Sequence, residues 1–249
     1  MRIIQNNFYD NEIFFKGYKE IRENQNNYND LLEQPAMHDF LPALSERTIL
    51  DLGCGYGRNS LEFVQLGAKF VMAIDISCKM LEVAKNKSSH KKITYRQLDM
   101  ADLDVINQKF DIVYSSLAFH YVEDFDKLMT NISNLLNTKG ILLFSQEHPI
   151  MTATVDGQFC WNKNEKGEEV SFTFSNYHQP GIRKSHWFID DIITYHRTMG
   201  DIVTTLANKG FFIEILYETA PKKFALESFP PIKKELLKPN FLIIRAKKL

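Results

Sequence analysis

Short apolar runs alternate with helical segments from Thr48 onward, and this alternation restricts the folds open to the chain. Runs with the length and character of strands are Thr48–Leu52, Phe70–Asp75, Thr94–Leu98, Phe110–Ser115, Ile141–Gln146, Phe211–Tyr217 and Phe241–Lys247. Helices are expected at Arg58–Leu66, Ser77–Lys87, Asp124–Asn137 and Thr198–Lys209. Because such alternation produces right-handed crossovers between parallel strands, we predict an α/β fold with a doubly wound, mostly parallel sheet and helices on both faces.

Two segments depart from this alternation and divide the chain into three parts. Residues 1–45 have apolar side chains at roughly helical spacing, which predicts an N-terminal helical lid. Residues 147–197 are irregular, rich in glycine and aromatics, and are predicted to form an insertion with some antiparallel strands that caps the substrate. The central domain then consists of residues 46–146 and 198–249.

A glycine-rich turn joins the first strand to the first helix of this domain, in the run Ile49-Leu-Asp-Leu-Gly-Cys-Gly-Tyr-Gly-Arg58. Glycine is needed where the backbone takes a positive φ or approaches a ligand closely. The spacing of Gly53, Gly55 and Gly57 is G-x-G-x-G, whereas a dinucleotide site requires G-x-G-x-x-G and would need glycine where Arg58 stands. No lysine followed by serine or threonine ends the turn, so it is not a P-loop.

This run resembles the first motif of the class I S-adenosylmethionine-dependent methyltransferases, and the resemblance extends from about Thr48 to the C-terminus, except for the insertion. It implies a seven-stranded sheet whose last strand is antiparallel, with S-adenosyl-L-methionine as cofactor. It also implies that Gly53, Gly55 and Gly57 pass beside the methionine part of the cofactor and that Asp51 helps to hold its ammonium group. A tight turn without a ligand is the alternative interpretation.

An acidic residue follows the second strand at the spacing expected for a nucleotide ribose. Asp75 lies 22 residues after Gly53, and a carboxylate can accept hydrogen bonds from two vicinal hydroxyls. The resemblance implies the same role, together with adenine contacts from Ile76 and Met80. It also implies further cofactor contacts from Asp99, Met100 and Ser115. Asp102 is a second candidate for the adenine contact, and the alternative interpretation of Asp102 is the N-cap of a short helix.

The ends of the fourth and fifth strands are expected to face the reactive methyl group. His120 is a candidate general base because its ordinary pKa is near neutrality, and a structural histidine is the alternative. Candidate substrate contacts are Glu147, His148, Trp187 and Tyr195. In the N-terminal segment, Tyr18, Arg22 and Tyr28 are candidates for cofactor contact, or for packing on the sheet edge. No metal is expected, since the histidines show no H-x-H or H-x-x-x-H pairing.

Net charge and the absence of two motifs restrict the class of methyl acceptor. The formal net charge is −1 with a pI of about 6.7, which supplies no general field for nucleic acid or an anionic membrane. The motifs Asn/Asp-Pro-Pro-aromatic and Pro-Cys, typical of DNA-base methyltransferases, do not follow the fourth strand. We therefore expect a methyltransferase acting on a small molecule. A protein acceptor stays open, and the acceptor itself cannot be identified from the sequence.

Location and two rival functions complete the expectations. Three cysteines without a C-x-x-C pair, no apolar run of about 20 residues and no apolar core of a signal peptide predict a cytoplasmic protein. A nicotinamide-dependent oxidoreductase is a rival that the glycine spacing disfavours. A non-catalytic S-adenosylmethionine-binding protein is a second rival that only turnover would exclude.

Overall fold

The computed structural model describes residues 7–24, 26–155 and 160–249. The strands in this part of the chain are β1 (Thr48–Leu52), β2 (Phe70–Asp75), β3 (Ile93–Gln97), β4 (Phe110–Ser115), β5 (Leu136–Glu147), β6 (Cys160–Lys163), β7 (Glu169–Thr173), β8 (Gly181–Trp187), β9 (Ile189–His196), β10 (Phe211–Glu218) and β11 (Phe241–Lys248). The helices are α1 (Glu12–Glu23), α2 (Gln34–Asp39), α3 (Arg58–Gln65), α4 (Cys78–Lys87), α5 (Phe125–Leu135), α6 (Pro149–Thr152), α7 (Met199–Asn208) and α8 (Lys223–Ser228).

Seven strands form one sheet in the order β10-β11-β5-β4-β1-β2-β3. Strands β1 to β5 pair in parallel, while β11 pairs antiparallel with both β5 and β10. The predicted fold class is confirmed, including the antiparallel last strand. All seven predicted strands are present, and β1, β2 and β4 have the predicted bounds.

The central strands are buried on both faces, which explains their nearly continuous apolar sequences. In β1, Ile49 packs in one apolar cluster with α2 and α3, whereas Leu50 and Leu52 pack in the other with α5 and α7. Successive side chains of a strand point to opposite faces, so one short strand contributes to both cores. This pattern explains why helices pack on both faces of the sheet.

Side-chain caps fix the starts of α4 and α5. The Ser77 hydroxyl accepts from the backbone N–H of Met80 at 3.0 Å and begins α4, and the Asp124 carboxylate accepts from that of Lys127 at 2.8 Å and begins α5. Most of the boundaries that differ from the prediction do so by one residue, and the largest difference is that α5 ends at Leu135 and β5 begins at Leu136 rather than Ile141. Lys139, at φ 62°, and Gly140 form a bend within this strand rather than a helix end.

The N-terminal segment contains helices and the insertion contains antiparallel strands, while their roles as lid and cap stay predictions. Helices α1 and α2 are joined by a π-helical turn at Asn29–Glu33. The insertion contains two antiparallel hairpins, β6–β7 and β8–β9. Residues 1–6 of the predicted lid and residues 156–159 of the predicted cap lie outside the described residues. Across the described ranges, no helix has both the length and the apolar character needed to span a membrane.

Candidate functional site

A large cavity lies where strands β1, β2, β4 and β5 end, with walls also from the N-terminal segment and the insertion. Its volume is about 1670 Å³. Single-ligand pockets usually measure about 300–1,000 Å³, so this cavity has room for two ligands side by side. The predicted site residues on its wall are Tyr28, Gly53, Gly55, Asp75, Ile76, Met80, Asp99, Met100, His120, Glu147, Trp187 and Tyr195.

The glycine turn forms one wall because its backbone has no side chains in the way. Gly53 has φ 72°, and a Cβ added to it would lie 2.7 Å from the Cβ of Ala118, so no larger residue fits there. Gly55 has φ 52°, and an added Cβ would meet no atom within 4 Å. The open side of Gly55 therefore lets a ligand approach the main chain directly.

Asp75 holds this turn in place and also faces the cavity. One carboxylate oxygen accepts from the Gly55 N–H at 2.8 Å and the other from the Ser77 N–H at 2.9 Å. Burial raises the pKa of Asp75 to about 6, and hydrogen bonds from the backbone N–H groups of Ser77, Gly55 and Ile76 oppose that rise. A carboxylate has about four acceptor positions, so the group can still accept from a hydroxyl of a ligand.

Three residues assigned to the cofactor are not on the cavity wall. Asp51 is buried and accepts a 2.5 Å hydrogen bond from the Ser60 hydroxyl, and burial raises its pKa to about 7. Ser115 is fully buried and donates to the Leu52 carbonyl at 2.8 Å. Gly57 contributes a positive φ of 73° at the start of α3. These residues shape the turn from behind, which argues against direct contact of Asp51 or Ser115 with a ligand.

Both aspartates after β3 lie at the cavity, beside the 3₁₀ segment Met100–Val105. Asp99 is the cap of the 3₁₀ helix Met100–Val105 and accepts from the Ala101 N–H at 2.9 Å. Asp102 lies at a kink of that segment, where its backbone is not helical (φ −115°, ψ 28°). Both aspartates line the cavity, so an acceptor for an exocyclic amine is available from either. The choice between them for the adenine contact stays a prediction.

Arg22 carries a buried polar atom that lacks a partner. Among the described residues no acceptor bonds its Nη1, and its Nη2 lies 4.0 Å from a carboxylate oxygen of Asp30. Arg22 lines the cavity, and its charge opposes the rise in pKa that burial causes at Tyr18, Tyr56 and Glu33. An unpaired buried donor costs stability, so this site fits an anionic group such as a ligand carboxylate.

A buried carboxylate behind the cavity wall was missed by the sequence analysis. Glu33 ends the π-helical turn and accepts from the hydroxyls of Ser116 at 2.8 Å and Ser145 at 2.5 Å. Gln34 donates to the same carboxylate at 2.7 Å. These bonds fasten the N-terminal segment to the ends of β4 and β5. No periodic pattern in the sequence marks such a residue, because its two serine partners are more than 80 positions away.

His120 lies on the wall, but its surroundings are poorly suited to a general base. Burial, with a smaller contribution from the positive charge of Arg197, lowers the pKa of His120 to about 3. Its Nδ1 accepts from the backbone N–H of Glu147 at 3.3 Å. A ring this weakly basic stays neutral at physiological pH. This argues against the predicted catalytic role and favours the structural alternative.

Glu147, at the end of β5, has the acid–base properties that His120 lacks. Burial raises its pKa to about 7, and the positive charge of Lys238 opposes that rise. Its side chain is partly accessible through the cavity. Within the described part of the chain, no hydrogen bond to its carboxylate is found, so the group is available to a ligand. A pKa near neutrality is what a general base requires.

The remaining predicted substrate contacts divide into two groups. Trp187 and Tyr195 line the cavity, and Trp187 also packs edge-on against Phe14 of α1 with ring centroids 5.2 Å apart. His148 is 3% exposed and is not on the wall. It caps α6 by accepting from the Ile150 N–H at 3.1 Å, and its Nε2 lies 2.8 Å from a carboxylate oxygen of Glu218. The predicted substrate role of His148 conflicts with this placement.

Comparisons with known proteins identify relatives, two of which match most of the chain. The model of a methyltransferase domain family matches residues 50–144. An uncharacterized protein of Haemophilus influenzae is 37% identical over 84% of this chain and 85% of its own length. A solved S-adenosylmethionine-dependent methyltransferase from Mesorhizobium loti is 34% identical, covers 87% of this chain and 97% of its own, and superimposes with a TM-score of 0.81. A malonyl-[acyl-carrier protein] O-methyltransferase from Hamiltonella defensa is 32% identical over 39% of this chain and 36% of its length.

Proposed function

This chain belongs to the S-adenosylmethionine-dependent methyltransferases, and we propose that it methylates a small molecule enclosed beneath residues 147–197. When bound, S-adenosyl-L-methionine supplies an electrophilic methyl group on its sulfonium. The observation that carries the proposal is the cavity of about 1670 Å³, which combines the glycine turn with an acidic acceptor wall. A second ligand of small-molecule size fits beside the cofactor there.

The chain's own residues account for the cofactor half of the cavity. Asp75 accepts from a ribose hydroxyl, since its carboxylate can still accept a hydrogen bond. Met80 and Met100 offer apolar surface to the adenine, with Ile76 beside them and Asp99 near its exocyclic amine. Arg22 binds the carboxylate of the methionine part, which satisfies its buried Nη1. Asp51 acts indirectly, through Ser60 and the conformation of the glycine turn.

Glu147 and His120 account for the acceptor half. Glu147 takes the proton that the acceptor's O–H or N–H gives up. Bound S-adenosyl-L-methionine would supply the methyl group, with its methyl–sulfur bond breaking to leave S-adenosylhomocysteine. His120 acts as a positioning residue, because its Nδ1 holds the Glu147 backbone N–H. Trp187 and Tyr195 enclose the acceptor and exclude water. Holding the acceptor in line with the methyl group contributes most of the acceleration, on the order of several kcal/mol.

Transfer of a labelled methyl group separates the classes of acceptor. The protein is incubated with methyl-labelled S-adenosylmethionine and a cell extract, which is then divided into small-molecule, protein and nucleic-acid fractions. We expect label in the small-molecule fraction with the wild type and not with Glu147→Gln. Label confined to protein or nucleic acid would contradict the proposal, and no transfer to any fraction would favour a non-catalytic binding protein.

The cysteines support a cytoplasmic location as part of the proposal. Cys54, Cys78 and Cys160 are all free, and Cys78 and Cys160 are exposed. Exposed free thiols are typical of proteins kept in a reducing compartment. Fractionation of cells that make the protein tests this, with recovery in an oxidising compartment as the contrary result.

A further inference from the structure

The wall next to Glu147 contains a buried polar network. Glu235 is 3% exposed and accepts from the Tyr28 hydroxyl at 3.0 Å, from Lys238 Nζ at 2.6 Å and from Asn240 Nδ2 at 2.6 Å. The Asn240 carbonyl also accepts from the His148 N–H at 2.8 Å, which fixes this network beside the end of β5. The charge of Lys238 is therefore compensated by Glu235.

A second lysine on the same wall has no such compensation. Lys234 lies in the 3₁₀ helix Pro230–Leu236 and lines the cavity. Its Nζ lies 5.4 Å from the ring centroid of Trp161, and Lys238 Nζ lies 5.4 Å from the same centroid. Over the described residues, no carboxylate oxygen comes within 4 Å of Lys234 Nζ. Two ammonium groups thus share one aromatic ring, and burial, with a smaller contribution from the charge of Lys234, lowers the pKa of Lys238.

Arg183 adds a third positive charge to the cavity wall. It is 5% exposed, and its guanidinium donates to backbone carbonyls, including those of Ala153 at 2.9 Å and Gln179 at 2.5 Å. Its donors are used by those carbonyls, whereas Lys234 and Lys238 lie against Trp161 and only Lys238 bonds to Glu235 among the described residues. A pKa of about 7 leaves Glu147 only partly charged at neutral pH.

We propose that the acceptor is a small apolar acid, whose anionic group binds Lys234 while its apolar part packs on Trp161. The inference rests on the proposed function, since it assigns the ligand of the acceptor half of that cavity. An anion at this position relieves the repulsion between the two ammonium groups and compensates Lys234. The atom that receives the methyl group is a separate O–H or N–H of the acceptor, within reach of Glu147.

Two matched probes test for this anionic subsite directly. The dye 8-anilinonaphthalene-1-sulfonate and the neutral N-phenyl-1-naphthylamine share one apolar scaffold and differ in the sulfonate. Each is titrated by fluorescence into protein saturated with S-adenosylhomocysteine, which occupies the cofactor half. The variant is Lys234→Met, and the control is Lys233→Met, which removes the same charge from an exposed neighbour on the same helix.

We expect the wild type to bind the sulfonate more tightly than the neutral dye. Lys234→Met should weaken sulfonate binding about tenfold, the low end for a hydrogen bond to a charged group because Lys234 is partly exposed. Neutral-dye affinity should change less than about twofold, and Lys233→Met should leave both unchanged. Trp161→Ala should weaken both dyes, which locates them in the cavity.

Three results would overturn the anionic subsite. They are equal affinity of the wild type for the two dyes, no effect of Lys234→Met on sulfonate binding, and equal effects of Lys233→Met and Lys234→Met. Calorimetry with S-adenosylhomocysteine alone keeps this test apart from the proposed function. Loss of that binding in the wild type would contradict the cofactor site, whereas normal binding together with any of the three results would contradict the subsite only.

Discussion

Replacing Glu147 by glutamine should make the protein more stable and less active at the same time. Glutamine has nearly the same shape as glutamate and no charge. In the wild type, burial raises the pKa of this carboxyl from 4.5 to about 7, so its ionised form is disfavoured in the folded state. The variant removes that cost together with the group that accepts the proton.

The size and pH range of the stability gain follow from these two pKa values. Each pH unit between them corresponds to about 1.4 kcal/mol, which gives an upper limit of about 3.5 kcal/mol. Because the folded-state pKa is the higher one, the contribution of Glu147 to the free energy of unfolding falls as pH rises from 4.5 to about 7 and is constant above that. Glu147→Gln should therefore gain about 1–3 kcal/mol at pH 8 and almost nothing at pH 4.5.

Urea unfolding at pH 8 and pH 4.5 measures the stability difference, and labelled methyl transfer to small molecules measures activity. Wild-type activity should rise with pH through about 7, whereas the variant should lose roughly 10²-fold or more and show no such rise. Glu82→Gln, an exposed change on α4, is the control and should alter neither property. Unchanged stability at pH 8 together with full activity in Glu147→Gln would refute the reasoning.

Three further predictions concern the two halves of the cavity. Arg22→Met should weaken S-adenosylhomocysteine binding about tenfold or more, yet leave 5′-methylthioadenosine binding unchanged, because the latter lacks the carboxylate. If calorimetry shows an equal loss of affinity for both ligands, Arg22 does not bind the carboxylate of the cofactor. Affinity for S-adenosylhomocysteine should fall as pH drops through about 6, where Asp75 is protonated, and Asp75→Asn should abolish that dependence. An unchanged pH profile in Asp75→Asn would contradict the ribose assignment. Tyr195→Ala should reduce methyl transfer at low acceptor concentration without changing cofactor affinity, and a tenfold loss of cofactor affinity would show that the acceptor assignment is wrong.

The features predicted correctly from sequence are those fixed by local pattern. The strand β1 has its predicted bounds because both faces of it are buried, and Ser77 caps α4 because its hydroxyl reaches a backbone N–H three residues on. The spacing of Gly53 and Gly55 likewise reflects two positions where the backbone has a positive φ. Local chemistry therefore predicts the sheet, its helix starts and the turn beside the cavity.

The features missed or misassigned depend on contacts between distant parts of the chain. Glu33 is defined by Ser116 and Ser145, and Glu147 owes its raised pKa to burial that a sequence cannot reveal. His148 is predicted from sequence to contact the substrate, yet in the structure it caps α6 and its ring lies beside the carboxylate of Glu218. Acid–base roles at this site are thus decided by tertiary burial rather than by residue type.

The central claim is that the glycine turn and Asp75 form an S-adenosylmethionine site within the large cavity. Calorimetric titration of the wild type and Asp75→Ala with S-adenosylhomocysteine, and of the wild type with NAD, tests it most directly. We predict binding of S-adenosylhomocysteine to the wild type, a loss of about one to three orders of magnitude in Asp75→Ala, and no NAD binding at comparable concentration. Binding of NAD without binding of S-adenosylhomocysteine, or equal affinity in a folded Asp75→Ala, would contradict it.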